Sequence, residues 1–408
     1  MIYPRGIRIG LLLQLVPRPE RGFVFSFCLA LAGLTLLVLR PAAMNATNLR
    51  PISFAAIHGW QDDDLAEAFV AFAKSCSEIE ERGRAFSRPV RFGGERADWL
   101  PLCAAARNHH ASPRDFFEKH FAPFLVEDRE RPEGLFTGYF EPEAPGDRRP
   151  NGPFTVPLYA KPFDLVPFDP DTEHRLGLRY GRYQNGIPQP YFTRREIEEG
   201  ALAGKGLEIV WLSSWADAFF MQVQGSGRVK LPDGSLMRLA YAAKSGQPYT
   251  AIGGILVKKG ILAPAEMSMQ AIRAWMEHHP AEARDLMWQN RSFVFFREVD
   301  TDLSQGPPGA QQVELTSGRS LAVDRDIWSF GTPLWIDTAL PPDSSEGAGK
   351  PFARLMIAQD TGSAIKGAVR GDIFFGSGVE AAHRAGHMKA GGRMIALLPK
   401  ALADRRLK

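Results

Sequence analysis

From Phe136 onward the chain is written in short β-favouring runs that prolines interrupt: Pro142, Pro145, Pro153, Pro157 and Pro162 arrive before any run can lengthen. Proline removes a backbone donor and fixes φ, so this stretch cannot build a helical bundle and reads as β structure with long loops. Its clearest hairpin pairs 227–231 with 236–241 across Pro232-Asp233-Gly234-Ser235, because Asp-Gly suits the positive dihedrals of a tight turn. Just ahead, Phe219-Phe220-Met221-Gln222-Val223-Gln224 reads as a strand running into that turn.

The two sides of this region have a different texture. Trp60-Gln61-Asp62-Asp63-Asp64 offers N-cap residues, and Leu65, Phe69, Phe72 and Cys76 recur at helical spacing behind it. Ser112 as cap, Pro113 in the first turn and Asp115 announce a second helix, with Phe116, Phe117, Phe121 and Phe124 expected as its apolar stripe. Further helical patterns surround Met269, Ile272 and Met276 and then 281–288, after which the last hundred residues return to strands. Helices flanking a β-rich middle, with strands again at the end, suggest one domain built from both ends of the chain and a second inserted between them.

The formal net charge of the 408 residues is +3, but residues 1–43 hold five arginines and one glutamate, a net +4, which leaves −1 for the remainder. A near-neutral body carries no polyanion-binding signature, so nucleic acid is not an expected partner. Residues 23–39 form an uncharged apolar run behind Arg5, Arg8, Arg18 and Arg21, the pattern of an export signal. Its length falls between a signal-peptide core and a spanning helix, so a cleaved signal and a membrane anchor over 1–43 both stand. Cys28 lies inside the run; Cys76 and Cys103 remain beyond it, an even pair that suits a disulfide in an exported protein, two separately buried thiols being the other reading.

Chemistry concentrates near the end. Leu355-Met356-Ile357-Ala358 leads through Gln359 to Asp360, Thr361-Gly362 and 363–367 make the return, and Asp372 heads Ile373-Phe374-Phe375. A carboxyl group held among apolar side chains has its pKa raised toward the range a general acid needs. The plainer reading is an Asp that hydrogen-bonds its own turn. His109-His110 and His278-His279 are adjacent pairs and lack the one-turn spacing of helical zinc ligands, and 225–227 lacks the third glycine of a dinucleotide fingerprint. No metal or cofactor is expected.

Several segments, in order, widen the picture: Gly134-Leu135-Phe136-Thr137-Gly138-Tyr139-Phe140-Glu141-Pro142, Val156-Pro157-Leu158-Tyr159, Phe220 through Gly227, 267–272, 292–296, Ser320 through Asp324, and Ala382 through Gly386. With the 358–376 region, these resemble the membrane-bound lytic murein transglycosylase A family, including its C-terminal three-aspartate domain, over roughly residues 60 to 400. The resemblance implies a mainly β fold with peripheral helices (α+β). A double-psi β-barrel of residues 44–140 and 298–408 would be interrupted by a second β-barrel of 141–297, with a substrate groove between them. It implies a periplasmic enzyme of a Gram-negative bacterium, possible membrane association being left to the N-terminal segment. Its substrate would be the glycan strands of peptidoglycan, cut at the β-1,4 bond between N-acetylmuramic acid and N-acetylglucosamine with 1,6-anhydromuramyl products. Asp372 matches the family's acid/base, and Asp324 and Asp360 its other two aspartates. Asp360 is then expected beside Asp372 with Lys366 stabilising its charge, and Asp324 is read as a turn cap. Thr137, Tyr139, Gln224, Ser226 and Lys244 are expected substrate contacts. A non-catalytic, expansin-like wall-loosening protein is the alternative, since such proteins share a related barrel.

Overall fold

The computed structural model describes residues 47–129, 132–342 and 349–407, so the export segment expected over 1–43 lies outside the described residues. Strands fall into two groups along the chain. The first is Thr47–Pro51 (β1), Phe121–Asp128 (β2) and Gly134–Glu141 (β3). The middle carries Glu143–Asp147 (β4), Val156–Tyr159 (β5), Val166–Pro167 (β6), Tyr180–Gln184 (β7), Ile187–Pro190 (β8), Glu208–Leu212 (β9), Ser226–Lys230 (β10), Leu236–Lys244 (β11) and Val294–Val299 (β12). Ser320–Val323 (β13), Pro333–Leu340 (β14), Lys350–Asp360 (β15), Arg370–Ser377 (β16) and Lys389–Pro399 (β17) complete the first group.

β17, β14, β15, β13, β16 and β3 hydrogen-bond in that order, and β3 returns to β17 to close a six-strand ring, with β2 and β1 extending from β17. Closure removes the free edges that an open sheet would expose. The ring is filled by Phe136, Leu321, Val323, Leu334, Met356, Ala358, Ile373 and Met394. A second core, built on Trp60, Phe72, Trp99, Phe116, Phe117 and Trp335, packs the helices Ala66–Glu81, Arg96–Arg107 and Pro113–His120 against it. The sulfurs of Cys76 and Cys103 are bonded between the first two of these helices.

The middle strands form their own sheet in the order β12, β11, β10, β4, β9, β5, and a bridge from Ala160 to Phe296 brings its two outer strands together. β6, β7 and β8 make a small separate sheet. The 226–244 hairpin forms around the expected turn, with Arg228 opposite Arg238.

Two local expectations are corrected. Trp215–Gln224 is a helix, so the strand expected over 219–224 does not exist: Ser214 caps it by accepting from Asp217 N, and Gly225 ends it in the left-handed region at φ 81°. The Phe, Met and Val side chains favour either state, and the cap at one end with glycine at the other decides. Phe121 and Phe124 belong to β2, because the 113–120 helix stops three residues before Pro123, and the residues ahead of a proline avoid helical backbone.

Candidate active site

Period-two alternation places Arg370 and Asp372 on one face of β16, and Thr137 and Tyr139 on one face of β3. β16 and β3 run parallel with Asp372 opposite Thr137 and Phe374 opposite Tyr139. The register joins these side chains into a relay: Arg370 Nη2 donates to Thr137 Oγ1 at 2.8 Å, and Thr137 Oγ1 donates to Asp372 Oδ1 at 2.5 Å. The hydroxyl, with both its donor and acceptor roles committed, holds the Asp372 carboxyl in one orientation.

On the other side of β16 lies β13. Ala322 pairs with Asp372 across one neighbour and with Asp360 across the other, so the two aspartates share a row with one alanine between them. Adjacent strands are about 4.8 Å apart, which puts the two backbones roughly 10 Å apart with both side chains on one face. Tyr139, Ala322 and Phe374 pack together there with Leu315 and Ile365. Asp360 Oδ1 accepts from Ala310 N and Thr361 N, each at 2.9 Å. The Tyr139 hydroxyl is buried beside Asp360 and feels its charge, without closing a well-shaped hydrogen bond to it.

Burial is the leading influence on all three groups. It raises the pKa of Asp372, against the pull of the Arg370 charge and the Thr137 hydroxyl. It also raises that of Asp360, against the two backbone N–H groups and Tyr139, with the charge of Asp372 adding to the rise. Burial and then Asp360 push the Tyr139 phenol well above its usual range. The pocket therefore favours protonated carboxyl groups, and the like-charge effect falls on Asp360.

The remaining expected residues lie around this row. Lys244, at the end of β11, donates from Nζ to Ser363 Oγ at 2.9 Å, which ties the middle sheet to the loop after Asp360, and burial lowers its pKa. Gln224 Oε1 accepts from Phe140 N at 3.0 Å, so the helix end is fastened to β3 one residue beyond Tyr139. Ser226 opens β10 and is buried opposite Ala240. Lys366, expected beside Asp360, instead donates to Asp324 at 3.2 Å and Asp326 at 2.7 Å. Asp324 caps its turn by accepting from Asp326 N at 3.1 Å and also takes Gly367 N at 2.9 Å. These bonds draw Lys366 to the turn after β13, because two carboxylates there outcompete one that two backbone amides already satisfy.

Sequence reading missed three participants. Arg370, two residues before Asp372, carried a usable signal in the strand alternation. Tyr249 is partly exposed and lies within electrostatic reach of both Asp372 and Arg194, and nothing local marks it. Glu141, at the end of β3, is fully buried and accepts from Arg238 Nε at 2.8 Å, Arg228 Nε at 2.7 Å and Ser377 Oγ at 2.8 Å. It fastens β10 and β11 to the point where the chain leaves the ring.

A closed ring carrying a part-buried aspartate row, with a second sheet spliced in after one of its strands, sets the class of protein. Two family models fall on these parts: the MltA specific insert domain on residues 135–297 and the 3D domain on residues 319–398. The structure of a membrane-bound lytic murein transglycosylase from Agrobacterium tumefaciens is 38% identical, with a TM-score of 0.79, over 88% of this chain and 99% of that one. Escherichia coli MltA with bound chitohexaose is 30% identical, with a TM-score of 0.61, over 86% and 91% of the two chains. The membrane-bound lytic murein transglycosylase A of Escherichia coli K12 is 38% identical over 265 residues, 64% of this chain and 65% of that protein's length. The chain belongs to the membrane-bound lytic murein transglycosylase A family.

Proposed function

We propose that this chain is a lytic transglycosylase of peptidoglycan, a lyase that cuts the β-1,4 bond between N-acetylmuramic acid and N-acetylglucosamine. The observation that carries the reading is the part-buried Asp372 carboxyl, whose proton affinity is raised by desolvation and whose orientation is fixed by Thr137. Membership of the family, and the relative crystallised with chitohexaose, support a β-linked amino-sugar strand as the ligand. The ring is read as a double-psi barrel made of residues 44–140 and 298–408, the middle sheet as a second barrel of 141–297, and the space between them as the substrate groove. Export to the periplasm is part of the same reading, with the N-terminal segment as signal or anchor.

In the ordinary glycosidase scheme a second carboxylate acts as nucleophile or base. Here the muramyl 6-hydroxyl attacks carbon 1 of its own ring, and tethering replaces the second protein group. Asp372 first gives its proton to the leaving oxygen and then takes one from the attacking hydroxyl, so the product ends in a 1,6-anhydro ring. Asp360, with Oδ1 held by two backbone amides, influences the charge of the pocket and contacts the sugar. Thr137, Tyr139, Gln224, Ser226, Lys244 and Lys366 complete the proposed contacts. Purified sacculi digested by wild type and by Asp372→Asn test the reading through mass spectrometry of the products. Anhydro ends from wild type and none from a folded variant are expected. Anhydro ends from the variant at the wild-type rate would sink the assignment; reducing ends would mean a hydrolase, and binding without products a wall-loosening module.

A further inference from the structure

A cavity of about 380 Å³ opens in the inserted part of the chain, walled by Arg182, Arg195, Arg291, Phe192, Trp288 and Gln247 among others. Three guanidinium groups around one small space are unusual in a body whose charges nearly cancel. One local acid is shared among them: Glu196 lines the cavity within electrostatic reach of Arg182 and Arg291, with its Oε2 also accepting from the backbone N–H and the hydroxyl of Thr193, each at 2.7 Å, so the guanidinium groups outnumber it. Arg195 is bonded to Glu199 at 2.9 Å and lies over the Trp288 ring at 4.7 Å.

Arg182 is different. Its guanidinium stacks on Phe192 at 4.0 Å, while its Nε is buried with no hydrogen-bond partner. Stacking fixes the plane of the fork, and a buried donor without an acceptor is unfavourable unless a ligand supplies one. Arg291 stands exposed on the same wall. A planar fork, pre-set against an aromatic ring with donors unmet, matches a carboxylate, which takes two parallel N–H bonds.

The position relative to Asp372 also matters. Gln247 lines the cavity and Tyr249, two residues on, is in electrostatic reach of Asp372; two extended residues span roughly 7 Å. Arg194, the other charge that Tyr249 feels, sits between the cavity residues Thr193 and Arg195. An extended peptide of four residues covers roughly 13 Å, the scale on which a branch could run from a glycan strand seated at Asp372 toward this wall.

We propose that the cavity binds a carboxylate of the peptide branches of murein, through Arg182 and Arg291, in addition to the glycan contacts beside Asp372. This rests on the transglycosylase reading above and deepens it by naming the part of the substrate that the inserted sheet recognises. The site accounts for an arginine cluster that the chemistry at Asp372 does not use.

Calorimetry on the Asp372→Asn protein tests it with four ligands: a soluble murein fragment with free peptide carboxylates, the same fragment fully amidated, branch-free chitohexaose, and inorganic phosphate. Amidation is expected to weaken binding ten- to a hundredfold, and adding Arg182→Gln with Arg291→Gln should erase that difference while leaving chitohexaose binding unchanged. Equal affinity for acid and amide, or an acid preference that survives both substitutions, overturns the proposal. Phosphate binding as tightly as the acid fragment overturns the carboxylate assignment in favour of a generic anion site. Failure of the glycan reading would show in the chitohexaose arm, which does not depend on the arginines, and the acid-against-amide difference decides the cavity whatever that arm returns.

Discussion

Replacing Glu141 by Gln isolates the junction between the two sheets. The native carboxylate accepts four bonds: from Arg238 Nε at 2.8 Å and Nη2 at 3.2 Å, from Arg228 Nε at 2.7 Å and from Ser377 Oγ at 2.8 Å. Glutamine keeps the shape but presents one acceptor oxygen and an NH₂ group, so at least one guanidinium donor faces another donor. Arg238 is fully buried, and its charge then has no compensating partner. Bonds to charged groups contribute about 1.5 to 3 kcal/mol each, and removing one member of a buried ion pair costs about 3 to 5 kcal/mol. Arg238 also donates to Thr301 Oγ1 at 3.0 Å and to the carbonyls of Asp302 at 2.9 Å and Gln305 at 2.7 Å, and these bonds soften the loss, so the lower half of that range is expected. Urea unfolding should show the midpoint lowered by that free-energy loss divided by the slope, with the slope itself unchanged. Pairing the change with Arg238→Met should recover part of the stability, giving a coupling energy above about 1.5 kcal/mol in a double-mutant cycle. A loss under 1 kcal/mol, or strict additivity in the cycle, would refute the view that this carboxylate locks the inserted sheet to the ring.

Thr137→Val removes the hydroxyl that steadies ionised Asp372, so the pKa of Asp372 rises further and the alkaline limb of the pH–rate profile should move to higher pH, with kcat down about tenfold or more. Because burial lifts the folded-state pKa of Asp372 above its unfolded value, ionising it opposes folding, and stability falls as pH climbs through that interval. Asp372→Asn should therefore melt above wild type at neutral pH, with the gap closing near pH 3, as scanning calorimetry can show. The double change Cys76→Ser, Cys103→Ser opens a link spanning 27 residues, and loop-closure entropy puts the loss at about 3.5 kcal/mol by chemical denaturation in the absence of reductant.

Local chemistry made much of this chain legible. Asp-Gly marked the 226–244 hairpin, Ser112-Pro113 marked a helix start, and the apolar run into Asp360 marked a strand end. Errors arose where a local signal was ambiguous between states. Phe219–Gln224 has no strict alternation, and Ser214 with Gly225 outweighed its β-favouring residues. The resemblance puts Lys366 beside Asp360, whereas the acids it bonds, Asp324 and Asp326, lie some forty residues upstream and arrive only through folding.

The two aspartates stand at the ends of one loop in the sequence, but their alignment through Ala322 has no local signal, because it depends on how three strands align. A one-residue slip of β16 would turn Asp372 to the opposite face and bring Ile373 or Gly371 into the pocket. The register is held at two places. Between β13 and β15 it shifts between Leu321 and Ala322, so that Leu321 opposes Ala358 while Ala322 opposes Asp360. Between β16 and β3 the Thr137 hydroxyl pins Asp372 directly. A register shift such as the one between Leu321 and Ala322 re-aims a side chain and bends the strand locally. Here it brings the last residue of β15 level with Asp372, and the acidity of the pocket is accordingly a property of the ring's alignment as much as of either aspartate.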